Sequence, residues 1–379
     1  MYRLFVLGAG FSKPAGLPLG NELLEDVLVE AKRTTHFENI LRREIERYLL
    51  FIERTTGEPR ALEDIGLEPF MSFLDTEHAL GFEGGDTFSD EGGRAQLLVR
   101  FLIARVLWRR QLRMPPSATA LYDEFASRLE ANDWILTFNY DTIVEDALTR
   151  VRKPFRLVPA RYKNVDRFYA EYADEPDHDV VLLKLHGSID WFQRDHFIRN
   201  SRNRKPFGFP DKARDAVFNN PRTRPRKLVR GPYWRGSPLR NVYRVLNMDA
   251  FFEQAVPLLD TPLLISPSFS KPLYLRPLHD LWRDMSSIGS FNSTLAIVGY
   301  SLPPYDDYVL QALYAAVRNF QHVDATGIVE KTSIKIVDYR TTDASQQQYR
   351  NAYRFVDWAR ADVDWNGFSE RSLDMIFGG

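Results

Sequence analysis

Three short polar stretches in this chain carry residue types suited to chemistry beside a phosphate: GAGFS at 8–12, FNYD at 138–141 and LHGS at 185–188. A strand followed by Gly8, Ala9 and Gly10 permits a tight turn. Its backbone N–H groups can face a phosphate, the dipole of a following helix favours the negative charge, and Ser12 adds a hydroxyl. No GK[ST] follows, so this is not a Walker loop, and the third glycine of the dinucleotide fingerprint is missing. Taken alone, the same residues describe a strand–helix turn without a ligand. Asn139 and Asp141 suit the orientation of a water or hydroxyl, and equally suit capping of the next helix. His186 suits a general base titrating near neutrality, although a lone histidine is more often structural. Asp190 reads as a cap or a surface residue.

These residues need elements that bring them together. YRLFVL runs into GAG, WILTF into NYD, and DVVLLK into LHGS; TPLLIS, TLAIV before GYS, and SIKIV before Asp338 complete six apolar strands. Helical stretches alternate with them, the pattern of a doubly wound, mostly parallel α/β sheet. In such a sheet the ligand lies beyond the carboxyl ends of the strands at a topological switch point, where the polar tips converge. Leu23, Leu24, Val27, Leu28, Ile40, Leu41, Ile45 and Leu49 recur at helical spacing, and AQLLVRFLIARVLWRRQL reads as a buried helix. MPPSATA ends it and offers Ser117 or Thr119 as cap for LYDEFASRLE, while GFEGGDTFSDEGG reads as an exposed loop. The expected division is one domain over 1–379. Its core comprises 1–20, 131–193 and 260–345, with a helical insertion at 21–130, an arginine-rich insertion at 194–259 and a C-terminal extension at 346–379.

Composition narrows the function. A net charge of −1 over 379 residues excludes a globally basic nucleic-acid binder. The absence of cysteine excludes disulfides, thiolate metal sites and a cysteine nucleophile, and the seven histidines lack metal-ligand spacing, so no metal is expected. Neither a signal peptide nor a run of ~20 apolar residues is visible, so the expected location is cytoplasmic, away from membranes.

The order GAGFS, AGLP, FNYD, LHGSIDW, VGYSLPPYD resembles the run of GAG-S, GIP, QNID, HG and G-T/S-S in the sirtuin (Sir2) family, and FNYD with LHGS is most similar to its bacterial defence-type branch. The resemblance implies a Rossmann-like sirtuin fold with a helical insertion and, since cysteine is absent, no zinc module. It implies that Gly8, Ala9, Gly10 and Ser12 line the pyrophosphate and ribose pocket. Asn139 would be the catalytic asparagine, Asp141 the contact to the nicotinamide amide, and His186 the base acting on a ribose hydroxyl. Gly299 and Ser301 would hold the adenosine side, and Asp338 the adenosine ribose. It further implies NAD+ as substrate and an NAD+ glycohydrolase (NADase), an effector of antiviral defence that depletes NAD+ when activated. The alternatives are an NAD-dependent deacylase or ADP-ribosyltransferase, and a non-catalytic binding module. Cleavage of the nicotinamide–ribose bond suits the residues: the ring leaves neutral, so no strong acid is needed, only an oriented nucleophile, a base and an anchored phosphate. The implied partners are further copies of the chain as a homo-oligomer and a HerA-like hexameric ATPase, alternatively a short Argonaute. Nucleic acid through 194–240 is a less favoured expectation.

Overall fold

A computed structural model describes residues 2–378 apart from 83–91, 167–168, 173–177, 204–214, 272–274, 284, 286–287, 304–305 and 323–329. Its strands are β1 (Tyr2–Leu7), β2 (Trp134–Thr137), β3 (Phe155–Arg156), β4 (Tyr162–Val165), β5 (Ala170–Tyr172), β6 (Val180–Lys184), β7 (Trp191–Gln193), β8 (Pro225–Lys227), β9 (Val242–Val245), β10 (Asn292–Val298), β11 (Ile334–Val337) and β12 (Ala361–Asp364). The helices are α1 (Gly20–Ala31), α2 (Thr35–Thr56), α3 (Leu67–Leu80), α4 (Arg94–Gln111), α5 (Pro116–Arg128), α6 (Ile143–Arg150), α7 (Arg194–Asn203), α8 (Met248–Phe252), α9 (Asp307–Gln321), α10 (Asp343–Ala352) and α11 (Glu370–Phe377).

Seven strands form one sheet in the order β12-β11-β10-β1-β2-β6-β3, every neighbouring pair parallel. All five residues of β6 and most of β1 and β10 are buried, as a parallel sheet covered by helices on both faces requires. From β1 the chain proceeds to β2 on one side and later returns through β10 on the other, so the switch point lies between β1 and β10. Register then fixes the site. Leu7 stands level with both Val298 and Thr137, Thr137 with Lys184, and Val298 with Val337. The residues that follow (Gly8, Phe138, Leu185, Gly299 and Asp338) therefore emerge along one edge.

The α/β parallel architecture matches the sequence reading, with differences of detail. TPLLIS forms no strand: Pro262 has no N–H to donate, and Leu264 makes a single antiparallel bridge to Gly187. The segment crosses the end of the sheet instead. The sheet also runs past the expected core boundary at 345, because Ala361–Asp364 supplies its edge strand β12. Alternating carboxylates disguise that strand, and Asp362 is paired across to Lys335 at 2.5 Å. Phe377 packs on Phe5 of β1, and Phe368 on Phe11 and Tyr122. The helical period over 21–54 is split into α1 and α2. α4 is buried along most of its length. α5 begins earlier than its hydroxyl-cap reading, with Pro115 at the cap position, Pro116 opening the helix and Ser117 inside it. The arginine-rich stretch contributes α7 and strands β8 and β9, which pair with β7 in the antiparallel sheet β7-β9-β8, and β4 pairs antiparallel with β5. Most of the acidic loop at 81–93 and much of RNRKPFGF lie outside the described residues. Among the described residues no helix is long and apolar enough to cross a membrane.

Candidate functional site

The strand-end turns come first. The ladder extends one residue beyond each strand: Gly8 N–H donates to Val298 O at 3.0 Å, Phe138 to Leu7 O at 3.1 Å, Leu185 to Thr137 O at 2.9 Å and Gly299 to Val337 O at 2.7 Å. Gly10 N–H donates to Gly299 O at 2.9 Å. The N–H groups of Gly8 and Gly10 are thus engaged by the protein and do not face a ligand phosphate, contrary to the expectation from sequence. What the glycines supply is closeness. A Cβ on Gly8 would lie 2.5 Å from Gly299 O, and one on Gly10 would lie 2.7 Å from Gly299 Cα. Gly299 itself has φ 63°, and its Cβ would meet Phe11 N at 2.3 Å. The turn after β1 continues through Ala9 as a 3-10 helix, Ala9–Ala15, that ends at left-handed Gly16.

On this base Ser12, Asn139 and Asp141 form one network. Asn139 Nδ2 donates to Gly8 O at 2.8 Å and to Ser12 Oγ at 3.0 Å, and Ser12 Oγ donates to Asp141 Oδ2 at 2.7 Å. Asp141 Oδ1 also accepts from Ile143 N at 3.1 Å, so it steadies the start of α6 as well as holding Ser12. Ser12 and Asp141 are buried, and Asn139 is partly exposed. Beneath them Lys184, wholly buried in β6, donates to the carbonyl of Asp141 and pairs with Glu145 at 2.9 Å. Burial pushes the Glu145 carboxyl up despite that lysine. Asp190 is neither a surface residue nor a helix cap. It is buried, accepts from Ser188 Oγ at 2.6 Å and pairs with Arg244 of β9 at 2.6 Å.

His186 occupies an aromatic nest. Its ring centroid lies 5.1 Å from Phe138, 6.0 Å from Tyr308 and 6.4 Å from Tyr140, and Trp282 lies 5.1 Å from Tyr308. Burial, with the Lys271 ammonium in second place, holds the imidazole well below its ordinary value of 6.5, so it is neutral at physiological pH. Tyr308, in the first turn of α9, is pushed up, chiefly by burial. The phenol therefore keeps its proton, and its oxygen lies 2.5 Å from His186 Nε2, a hydrogen bond whose direction follows the imidazole tautomer. Next to the ring, His186 O accepts from Ile265 N at 2.9 Å, and Tyr140 Oη donates to Ile265 O at 2.7 Å.

The crossing segment is strapped to the helical insertion. Asp75 of α3 accepts from Ser266 Oγ at 3.1 Å, from Ser268 Oγ and from Gln96 Nε2 at 2.5 Å, and burial raises its carboxyl. Phe269 N donates to Ser72 Oγ at 2.7 Å. Lys271 pairs with Asp306 at 2.5 Å and Glu68 at 3.3 Å, and Tyr300 Oη donates to Asp306 at 2.9 Å. Tyr300 stacks on Phe138 at 4.5 Å, and its carbonyl accepts from Tyr349 of α10 at 3.2 Å and from Tyr353, which caps that helix, at 2.8 Å.

Gly8, Gly10, Ser12, Asn139, Asp141 and Gly299 are thus linked by direct contacts, and His186 joins them through Phe138. Ser301 is exposed beside this cluster. Asp338 stands one strand further out, paired with Arg340 at 2.9 Å and raised by burial. Sequence reasoning missed Tyr308, Lys271, Asp306 and Lys184. The detectable signals were a lysine inside the apolar run VVLLKL and the doubled acid in YDDY after the glycine turn. Among the described residues no group of histidines and carboxylates could hold a metal ion.

Residues 133–220 match the family model of the SIR2-like domain. No curated protein matches the chain. The matched stretch, roughly a quarter of the sequence, holds Asn139, Asp141 and His186, and the glycine turns that meet them lie outside it. Parallel sheet, switch-point turns and strand ends agree with the SIR2-like match over residues 133–220.

Proposed function

We propose that the cleft at the carboxyl ends of β1, β2, β6 and β10 takes NAD+ as substrate and hydrolyses it to nicotinamide and ADP-ribose. The observation carrying this reading is the meeting of Asn139, Ser12 and Asp141 at the switch point, with a neutral, buried His186 on the adjacent strand end. The SIR2-like match over the asparagine and histidine supports NAD+ as the ligand. In this reading Asn139 orients the water and ribose hydroxyls near the anomeric carbon, and Asp141 receives the nicotinamide amide. His186 is the base for the proton released as water adds, a contribution of about 10²–10⁴ in rate. The turns at Gly8–Ser12 and Gly299–Ser301 frame the phosphates and adenosine ribose, with Asp338 at its far side.

An unregulated enzyme of this kind harms its own cell. We therefore also propose an effector of antiviral defence held inactive until a homo-oligomer or a HerA-like ATPase partner releases it. The decisive measurement is nicotinamide release from NAD+ by the purified protein, alone and with the partner. Asn139→Ala and His186→Ala are each expected to abolish release while remaining folded, and unchanged turnover in both removes the site assignment. Added acetylated peptide separates the deacylase alternative, because only that activity makes O-acetyl-ADP-ribose.

A further inference from the structure

We infer that Tyr308 is the residue that touches the attacking water, and that His186 acts through it as the second member of a proton relay. The inference rests on the NAD+-cleavage reading and changes which side chain meets the substrate.

Burial orders the two groups. His186 is 5 % exposed and walled by Phe138, Tyr140 and Tyr308, whereas Tyr308 is only half-buried. The imidazole nitrogen Nε2 already has a partner, the Tyr308 hydroxyl at 2.5 Å. The attacking water reaching Nε2 directly would have to displace that phenol, whose ring packs 5.1 Å from Trp282 in the first turn of α9. The phenol is the more exposed of the two groups. Tyr308 is competent for both halves of a transfer, since a phenol accepts one hydrogen bond while donating another.

The step balances as follows. The oxygen of water bonds to the anomeric carbon as the bond from that carbon to the nicotinamide nitrogen breaks, its electron pair leaving with the ring. The proton lost by water passes to Tyr308 Oη, and the phenolic proton passes to His186 Nε2. The imidazolium then returns a proton to solvent through the same phenol. Tyrosinate never accumulates, which suits a hydroxyl whose burial opposes ionisation.

The experiment is steady-state nicotinamide release by wild type, Tyr308→Phe, His186→Ala and the double variant, with NAD+ affinity and thermal midpoint measured on each. Phenylalanine keeps the ring packing and removes only the hydroxyl. The relay predicts that kcat of Tyr308→Phe falls by about 10²–10⁴ with unchanged affinity and midpoint. It also predicts that the double variant is no slower than His186→Ala, because groups acting as a unit are non-additive. A Tyr308→Phe enzyme as fast as wild type, or faster because a latch has been removed, overturns the relay, as does a double variant whose losses multiply. Failure of the wild type to release nicotinamide under any activating condition instead removes the NAD+-cleavage reading on which the relay rests, so the two failures are distinguishable.

Discussion

Gly299 carries a constraint that is independent of any ligand. Its left-handed backbone and its contact with Phe11 N leave no room for a side chain. Gly299→Ala is expected to destabilise the protein by about 1–3 kcal/mol, measured as a lower urea midpoint without NAD+. A variant that weakens NAD+ binding but keeps the wild-type midpoint would return the glycine to a ligand-contact role. At this scale the sequence was partly legible. GAGFS, FNYD and LHGS stand out because polar and small residues interrupt apolar strands, and Ser12, Asn139 and Asp141 are brought together as their types suggest. Tyr308 did not stand out, since a tyrosine in a helix's first turn is unremarkable until His186, far away in sequence, is seen against it. The engagement of the Gly8 and Gly10 N–H groups was equally hidden, because their acceptors, Val298 and Gly299, belong to another strand end.

At the scale of elements, the strands buried on both faces were readable and the edge was not. β6 declares itself as VVLLK, whereas β12 is ADVD, a strand only because β11 lies beside it. The stretch 346–379 reads as an extension, but α10 and its cap residue supply the two hydroxyls on Tyr300 O, and the α11 region supplies Phe368 and Phe377 against Phe11 and Phe5. A chain ending at Ser345 is therefore expected to lose cooperative unfolding and become sensitive to limited proteolysis. A cooperative thermal transition near that of the intact chain would show that these elements are accessory. TPLLIS illustrates the reverse error: an apolar run of strand composition crosses the sheet end, because its partners are Gly187, His186 and Trp191 at the loop and Asp75 on α3.

For the molecule as a whole, the buried histidine links the site to global stability. In the unfolded chain His186 takes up a proton near its ordinary 6.5, while in the fold it stays neutral to well below that. Between those values the unfolded state binds more protons, so stability is lost as pH falls through about 6.5. His186→Phe removes this contribution. The expected result is that wild type loses more stability than His186→Phe between about pH 7.5 and about pH 5.5, compared as urea midpoints. Equal losses would show that the imidazole protonates freely in the folded protein. Glu145, Asp75 and Asp338, all raised, act in the opposite direction in both proteins and cancel from the comparison.

The carbonyl of Tyr300, gripped by Tyr349 and Tyr353, has a consequence in time. Ribosomes deliver β1 and its GAGFS turn early, and the glycine turn that seats on it much later. The hydroxyls that clamp that second turn, and the phenylalanines that close over β1, are made later still. A nascent chain carrying Asn139 and His186 thus still lacks Tyr308 and the turn and clamp that complete the site. The order in which the pieces appear keeps this strand-end site incomplete until the last of the chain is made.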